Sequence, residues 1–149
     1  MTDRLPEGDA MRLVLPCRPD YLLIVRRTVR EFASMAGFAP AEVDDVVSAV
    51  DEACANVIRH GYGGPTSRPL AIECKNRTDG LEVRLRDFGR HTDPQQLRPG
   101  ATKKRPAGGL GLVIIYEAMD EVNYASKPEG MELTMFKSFG TERSSGDGS

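Results

Sequence analysis

Apolar residues recur at every second position in two pairs of short segments, and each pair is separated by a few turn-forming residues. Leu70, Ile72 and Cys74 alternate, Asn76 to Gly80 supplies a turn, and Leu81, Val83 and Leu85 alternate again. A second pair, EVNYAS at 121–126 and MELTMFKSF at 131–139, flanks Lys127 to Gly130. Alternation at period two marks a strand with one buried face. A short connection permits only antiparallel pairing, because a parallel crossover needs a dozen residues or more. The chain must therefore build a largely antiparallel sheet that hides one of its faces.

The remaining segments supply one more strand and three helices. MRLVLPC at 11–17 reads as a strand, with Met11, Leu13 and Leu15 on one face and Val14 on the other. Pro19 opens a helix whose apolar positions Leu22, Leu23, Val25, Val29, Phe32, Ala33 and Ala36 lead to a stop at Gly37. Pro40 opens a second helix that runs to His60 and ends at Gly61, with Val43, Val46, Val47, Val50, Cys54 and Val57 as its core stripe. LGLVIIYEAMD at 110–120 reads as a third. The order β-α-α-β-β-α-β-β predicts an α+β fold. This is a two-layer α/β sandwich with a mixed, mainly antiparallel sheet, helices on one face, and the other face open or covered by a partner. A chain of 149 residues has the size of one domain. Residues 1–10 are expected to form a flexible lead-in, 11–139 the domain, and 140–149 a disordered tail. Between Phe88 and Ala107 no period is visible, so a lid or disordered loop is expected there.

Charge and composition remove several function classes. There are 20 Lys+Arg against 22 Asp+Glu, a formal net charge of -2, which argues against a broad basic surface for nucleic acid. The longest apolar run, around Leu110 to Tyr116, is far too short to span a bilayer. The opening MTDRLPEGDA does not read as a secretory leader. Cys17, Cys54 and Cys74 are far apart and form no CxxC pair, so neither a disulfide framework nor a zinc knuckle is indicated. The expectation is a cytoplasmic protein with no membrane and no direct nucleic-acid partner.

Three polar features depart from this apolar frame. Glu52 and Asn56 lie four apart on the second helix, roughly opposite Val50 and Val57, with small Ala49 and Ala53 beside them. They read either as a solvated helix face or as a carboxylate and amide oxygen suited to Mg²⁺. Glu52 could also take a proton from a hydroxyl. Asp87 falls on the apolar face reached by counting in twos from Leu81, just where the strand ends and Gly89 follows. It is either a loop cap turned outward or a pocket-floor acceptor for a ligand N–H such as an adenine amino group. Gly108, Gly109, Leu110, Gly111 and Leu112 lead the long loop into the third helix. They read as a hinge or as backbone N–H groups turned toward an anion. No GxxxxGK[ST] motif is present, so the chain is not a P-loop NTPase.

Taken in order, E-x-x-x-N on a helix, D-x-G after a strand and G-x-G-L entering a helix resemble the three nucleotide-binding boxes of the histidine-kinase-like (GHKL) ATPases. The resemblance is closer still to the branch of small bacterial anti-sigma-factor serine/threonine kinases. DEACANVIRHGYGG (51–64) and GGLGLVIIYEAMDEVNY (108–124) are similar to that branch almost throughout. The resemblance implies ATP and Mg²⁺ as cofactors, with Asn56 helping to bind the metal. It implies that Asp87 accepts the adenine amino group, that Gly89 lines the base and that Thr134 supports the contact. Gly108, Gly109, Gly111 and Leu112 would cradle the phosphates, and Lys103, Lys104 or Arg105 would reach the phosphates or a partner. Glu52 would be the general base. The second box departs from a common D-x-G-x-G pattern, with His91 at the last position.

The same resemblance implies a function: phosphorylation of an anti-sigma-factor antagonist by a kinase that also holds a sigma factor. It also implies a homodimer. The alternative is an ATP-binding regulator that sequesters a partner and phosphorylates nothing.

Overall fold

The computed structural model describes residues 4–89 and 109–140. The strands are β1 (Ala10–Pro16), β2 (Pro69–Arg77), β3 (Gly80–Asp87), β4 (Glu121–Ser126) and β5 (Met131–Ser138). The helices are α1 (Leu22–Ala36), α2 (Pro40–Asn56) and α3 (Gly109–Ala118). The strands form one sheet in the order β1-β2-β3-β5-β4. Every neighbouring pair is antiparallel, so the mixed sheet that was expected has no parallel member among the described residues.

The pleat sorts side chains cleanly. Ile72, Val83, Leu85, Leu133 and Met135 lie in one buried cluster with Val25, Val29, Val46, Val50, Leu112 and Ile115 from the helices. The opposite face carries a cross-strand row of Arg12, Glu73, Arg84, Thr134 and Asn123. Helices therefore cover one face only, as an amphipathic sheet requires.

Helix signals act as the sequence suggests, with local exceptions. Pro19 begins a single 3₁₀ turn (Pro19–Tyr21), and α1 proper starts at Leu22. Leu23, expected in the core stripe of α1, is exposed because it lies about 100° around the helix from Leu22. Gly37 ends α1 in the left-handed region, with φ of 109° and its N–H directed to Ala33 and Ser34 carbonyls. At the start of α2 the Glu42 carboxylate accepts the Ala39 N–H at 2.8 Å.

Two expectations near β2 are corrected together. Asn76 does not open a turn: the strand continues to Arg77, and the reversal occupies only Thr78 and Asp79. Asn76 is buried, and its Nδ2 donates to the carbonyls of Leu5 at 2.7 Å and Pro6 at 3.2 Å. The lead-in expected to be flexible is thus docked from residue 4 onward. Gly8 donates to Asn76 O, Asp9 O receives Asn76 N–H, and Leu5 N–H reaches Met35 O. A buried amide looks like a turn signal in sequence because its partners lie some 70 residues away. Of the expected tail, 140–149, all but Gly140 lies outside the described residues.

The two faces of the sheet make a direct test. Leu85 is 2% exposed and Val14 is 53% exposed. Leu85→Ala should cost about 2–5 kcal/mol through lost burial and a residual cavity. Val14→Ala should stay within about 0.5 kcal/mol. Urea unfolding of the two variants beside the parent chain measures both.

Candidate functional site

The alternation of β3 runs without a break into Asp87. Leu81, Val83 and Leu85 are buried on the helix-facing side, and Asp87 follows them there at only 5% exposure. The reading of Asp87 as an outward loop cap is therefore set aside. Desolvation raises its pKa above the usual carboxylate value, against the opposing pull of the Gly89 N–H and the Arg86 and Arg68 guanidinium groups. Gly89 N–H donates to Oδ1 at 2.9 Å. Among the described residues nothing donates to Oδ2. A buried carboxylate with one oxygen committed and one uncommitted is costly unless a donor arrives.

Backbone approaches closely around Asp87. A Cβ on Gly89 would collide with the carbonyl of Gly61, and one on Gly130 would collide with the carbonyl of Asp87. Gly130 also has φ of 83°, which side-chain-bearing residues rarely adopt. Gly89 is thus required by its packing against Gly61, a reason different from the ligand approach expected of it. Met131 is the cross-strand partner of Asp87.

The opposite wall begins on α2. Glu52 and Asn56 sit one turn apart and are half-buried. Asn56 Oδ1 accepts from Arg59 Nη2 at 2.9 Å, and Glu52 has no side-chain partner among the described residues. Ala49 and Ala53 are buried in the core instead of flanking open space. The second helix does not run regularly to His60. It widens after Asn56 into a π turn (Val57–Gly61), in which Tyr62 N–H reaches Val57 O at 2.9 Å. Such turns are uncommon and recur at functional sites. Here the turn carries the chain from Asn56 to Gly61, against Asp87. His60, at its end, has its pKa lowered by burial and by Arg59, so the ring is neutral near pH 7.

The third wall is α3, which packs along α2. Gly109 and Gly111 fall in its first turn, where backbone N–H groups have no partner within the helix. The far end is fixed: Lys137 Nζ donates to Ala118 O at 2.8 Å, and Asp120 Oδ2 accepts from Ser138 N at 2.7 Å.

Two expected site residues are placed elsewhere. Thr134 pairs with Arg84 and Asn123 in the row on the helix-free face, so the sheet separates it from Asp87. Leu112 is fully buried in the core, where its side chain anchors α3 instead of meeting a ligand. Lys103, Lys104, Arg105, Gly108 and His91, with the rest of the expected lid from 90 onward, lie outside the described residues.

The structure also adds residues that sequence reasoning passed over. Tyr62, Arg68 and Cys17 all border Asp87. The Tyr62 hydroxyl receives the Phe88 N–H at 2.9 Å, and Arg68 reaches the Phe88 carbonyl at 2.6 Å. Burial, and then the nearby Asp87 charge, push the Cys17 thiol up to about 11. The stretch GYGGPTSRP carried only a turn signal, although an aromatic and an arginine among its glycines hinted at more. Among the described residues no group of three His, Cys, Asp or Glu side chains could hold a metal ion, and no helix is long and apolar enough to cross a membrane.

Comparison with known proteins agrees with this geometry. Residues 15–137 match the family model described as the histidine kinase-like ATPase domain. The chain is 33% identical over 138 residues to the serine-protein kinase RsbW of Listeria innocua, covering 87% of each chain. It is 31% identical over 144 residues to RsbW of Bacillus subtilis, covering 91% of this chain and 89% of the relative. Among solved structures, the SiaB-SiaC complex from Pseudomonas aeruginosa superposes with a TM-score of 0.66 at 18% identity, over 85% of this chain and 88% of that one. The RsbU and RsbW domains of Rv1364c from Mycobacterium tuberculosis give 0.65 at 16% identity, over 87% of this chain and 32% of that longer one. The structural likenesses speak for the fold alone. The sequence matches go further, and with them the chain belongs to the histidine kinase-like ATPases, in the company of the RsbW serine-protein kinases.

Proposed function

We propose that this protein is an ATP-dependent serine/threonine kinase that controls a sigma factor by partner switching and phosphorylates an anti-sigma-factor antagonist. The observation that carries the reading is Asp87: a buried carboxylate with one oxygen that has no donor among the described residues, beside the π turn after Asn56. An adenine amino group is the donor that this oxygen lacks. Similarity to the RsbW serine-protein kinases supports the choice of a protein hydroxyl as acceptor.

The chain's residues divide the work. Asp87 accepts the base, and Gly109 and Gly111 at the start of α3 offer backbone N–H groups to the phosphates. Lys103, Lys104 and Arg105 supply positive charge to the phosphates or to the partner. Asn56 would help hold a Mg²⁺ ion: its amide oxygen is a hard ligand, here engaged by Arg59. The absence of a larger acidic cluster among the described residues suits an ion that keeps its waters. When bound, Mg²⁺ neutralises phosphate charge. Glu52, half-buried and with no side-chain partner among the described residues, takes the proton from the serine or threonine hydroxyl as its oxygen bonds to the γ-phosphorus. The bond to the β–γ bridging oxygen breaks, and ADP leaves with that electron pair. The protein works in the cytoplasm as a homodimer, and antagonist and sigma factor compete for it; their differential affinity sets the outcome.

Glu52→Ala should bind ATP as the parent does while losing transfer to the antagonist by about 10²–10⁴-fold. Radiolabelled ATP with Mg²⁺ and the antagonist protein reads both. Tight ATP binding with no label on any partner, in the parent itself, would favour the sequestering regulator.

Asp87→Asn separates binding from folding. Its amide N–H₂ faces the adenine amino group, so ATP affinity should fall at least tenfold, about 1.4 kcal/mol, by calorimetry. A carboxyl whose pKa is higher folded than unfolded gives stability that grows as pH falls through the folded value. At pH 7 the buried charge therefore works against the fold. The neutral Asn variant, without nucleotide, should unfold at an equal or higher urea concentration than the parent at that pH.

A further inference from the structure

We propose that Tyr62, with Arg68, is a specificity-determining residue of this site: the pair holds the Phe88 peptide so that Asp87 presents a single oxygen to an incoming purine. The inference rests on the reading of Asp87 as the base acceptor.

Phe88 is the first residue past the β3–β5 ladder, which ends at the pairing of Asp87 with Met131. Its peptide groups have no strand to bond to. Side chains from the segment after the π turn take both. The Tyr62 hydroxyl accepts the Phe88 N–H at 2.9 Å and donates to Pro69 O at 2.7 Å. Arg68 Nη2 donates to the Phe88 carbonyl at 2.6 Å, and its guanidinium lies 5.0 Å from the centroid of the Tyr62 ring. Arg86 secures the same corner, stacking 4.2 Å over the Phe88 ring and donating to the Asp87 carbonyl. The bond that the Tyr62 hydroxyl donates to Pro69 O needs its proton. Burial raises the Tyr62 pKa, so the proton stays on at working pH.

The next residue shows what this achieves. With the Phe88 peptide fixed on both sides, the Gly89 N–H stands 2.9 Å from Asp87 Oδ1 and occupies it. That bond holds the carboxylate by Oδ1 and leaves Oδ2 as the oxygen with no donor among the described residues. A fixed acceptor welcomes the amino group of adenine and repels the carbonyl oxygen that guanine carries at the same ring position. Discrimination of this kind depends on an unfavourable contact with the wrong ligand, and so on the acceptor staying in place. Releasing the Phe88 peptide frees the carboxylate to turn, and the penalty against guanine shrinks with the preference for adenine.

Calorimetry with Mg²⁺–ATP and Mg²⁺–GTP on the full chain tests this, using the parent, Tyr62→Phe, Arg68→Gln and Asp87→Asn. The parent should prefer ATP. Tyr62→Phe should weaken ATP by about five- to tenfold while leaving GTP within about twofold, so that the ATP:GTP ratio falls. Arg68→Gln should move the ratio in the same direction. A purely structural contribution would weaken both nucleotides alike, and that outcome overturns the inference. So does a parental ratio in both variants when Asp87→Asn has abolished it; base recognition by Asp87 then stands alone. A parent without preference, or an Asp87→Asn variant with the parental ratio, removes the base reading and this inference with it. If Tyr62→Phe does not fold, Arg68→Gln decides, because half of that side chain is in solvent.

Discussion

A carboxylate held out of water at the end of a strand organises this molecule. Desolvation of Asp87 disfavours its charge, and the single Gly89 N–H with two nearby guanidinium groups offsets only part of that cost. Gly61 lies beside the Asp87 carboxylate, Gly89 packs on Gly61, and Gly130 packs on the Asp87 main-chain carbonyl. A well-folded sheet could have ended on a fourth apolar residue at this register. A buried carboxylate in its place costs stability, and functional sites commonly depart from folding rules in this way.

How much of this could be read beforehand depends on how local each cause is. Period-two alternation located all four hairpin strands and put Asp87 on the buried face, because a strand's geometry lies in its own residues. The same rule, applied along β5 from Met131 through Leu133 and Met135, excludes Thr134 from the Asp87 side. There the family resemblance overrode a physical signal already present in the sequence. Other features had no local signature. The π turn after Asn56 changes the hydrogen-bond period without changing the apolar pattern. The buried role of Asn76 depends on carbonyls at the other end of the chain. Tyr62 and Arg68 acquire meaning only once β3 is beside them.

The helices illustrate how packing and chemistry share one element. Along α2, Val43, Val46, Val50 and Cys54 face the core, while Glu52 and Asn56 remain half-buried on the other side. Four-residue spacing keeps the pair in register on a rigid frame, and so their relative position is set by helix geometry instead of by loop conformation. In α3, Leu112 and Ile115 anchor the helix while its first turn is left to glycines. Leu112, expected from the resemblance to help cradle phosphates, instead packs into the core and holds the helix in place.

The docked segment before β1 has a consequence for where the folding unit begins. Leu5 is tied to the end of α1 through Met35, Asn76 of β2 holds Leu5 and Pro6, and the Arg4 guanidinium lies 5.4 Å from the Phe139 ring. Those few residues act as a seam stitched through both layers. Trimming the chain back to its first strand would unpick helix from sheet at the edge farthest along β3 from Asp87, and would strand the Asn76 amide without acceptors.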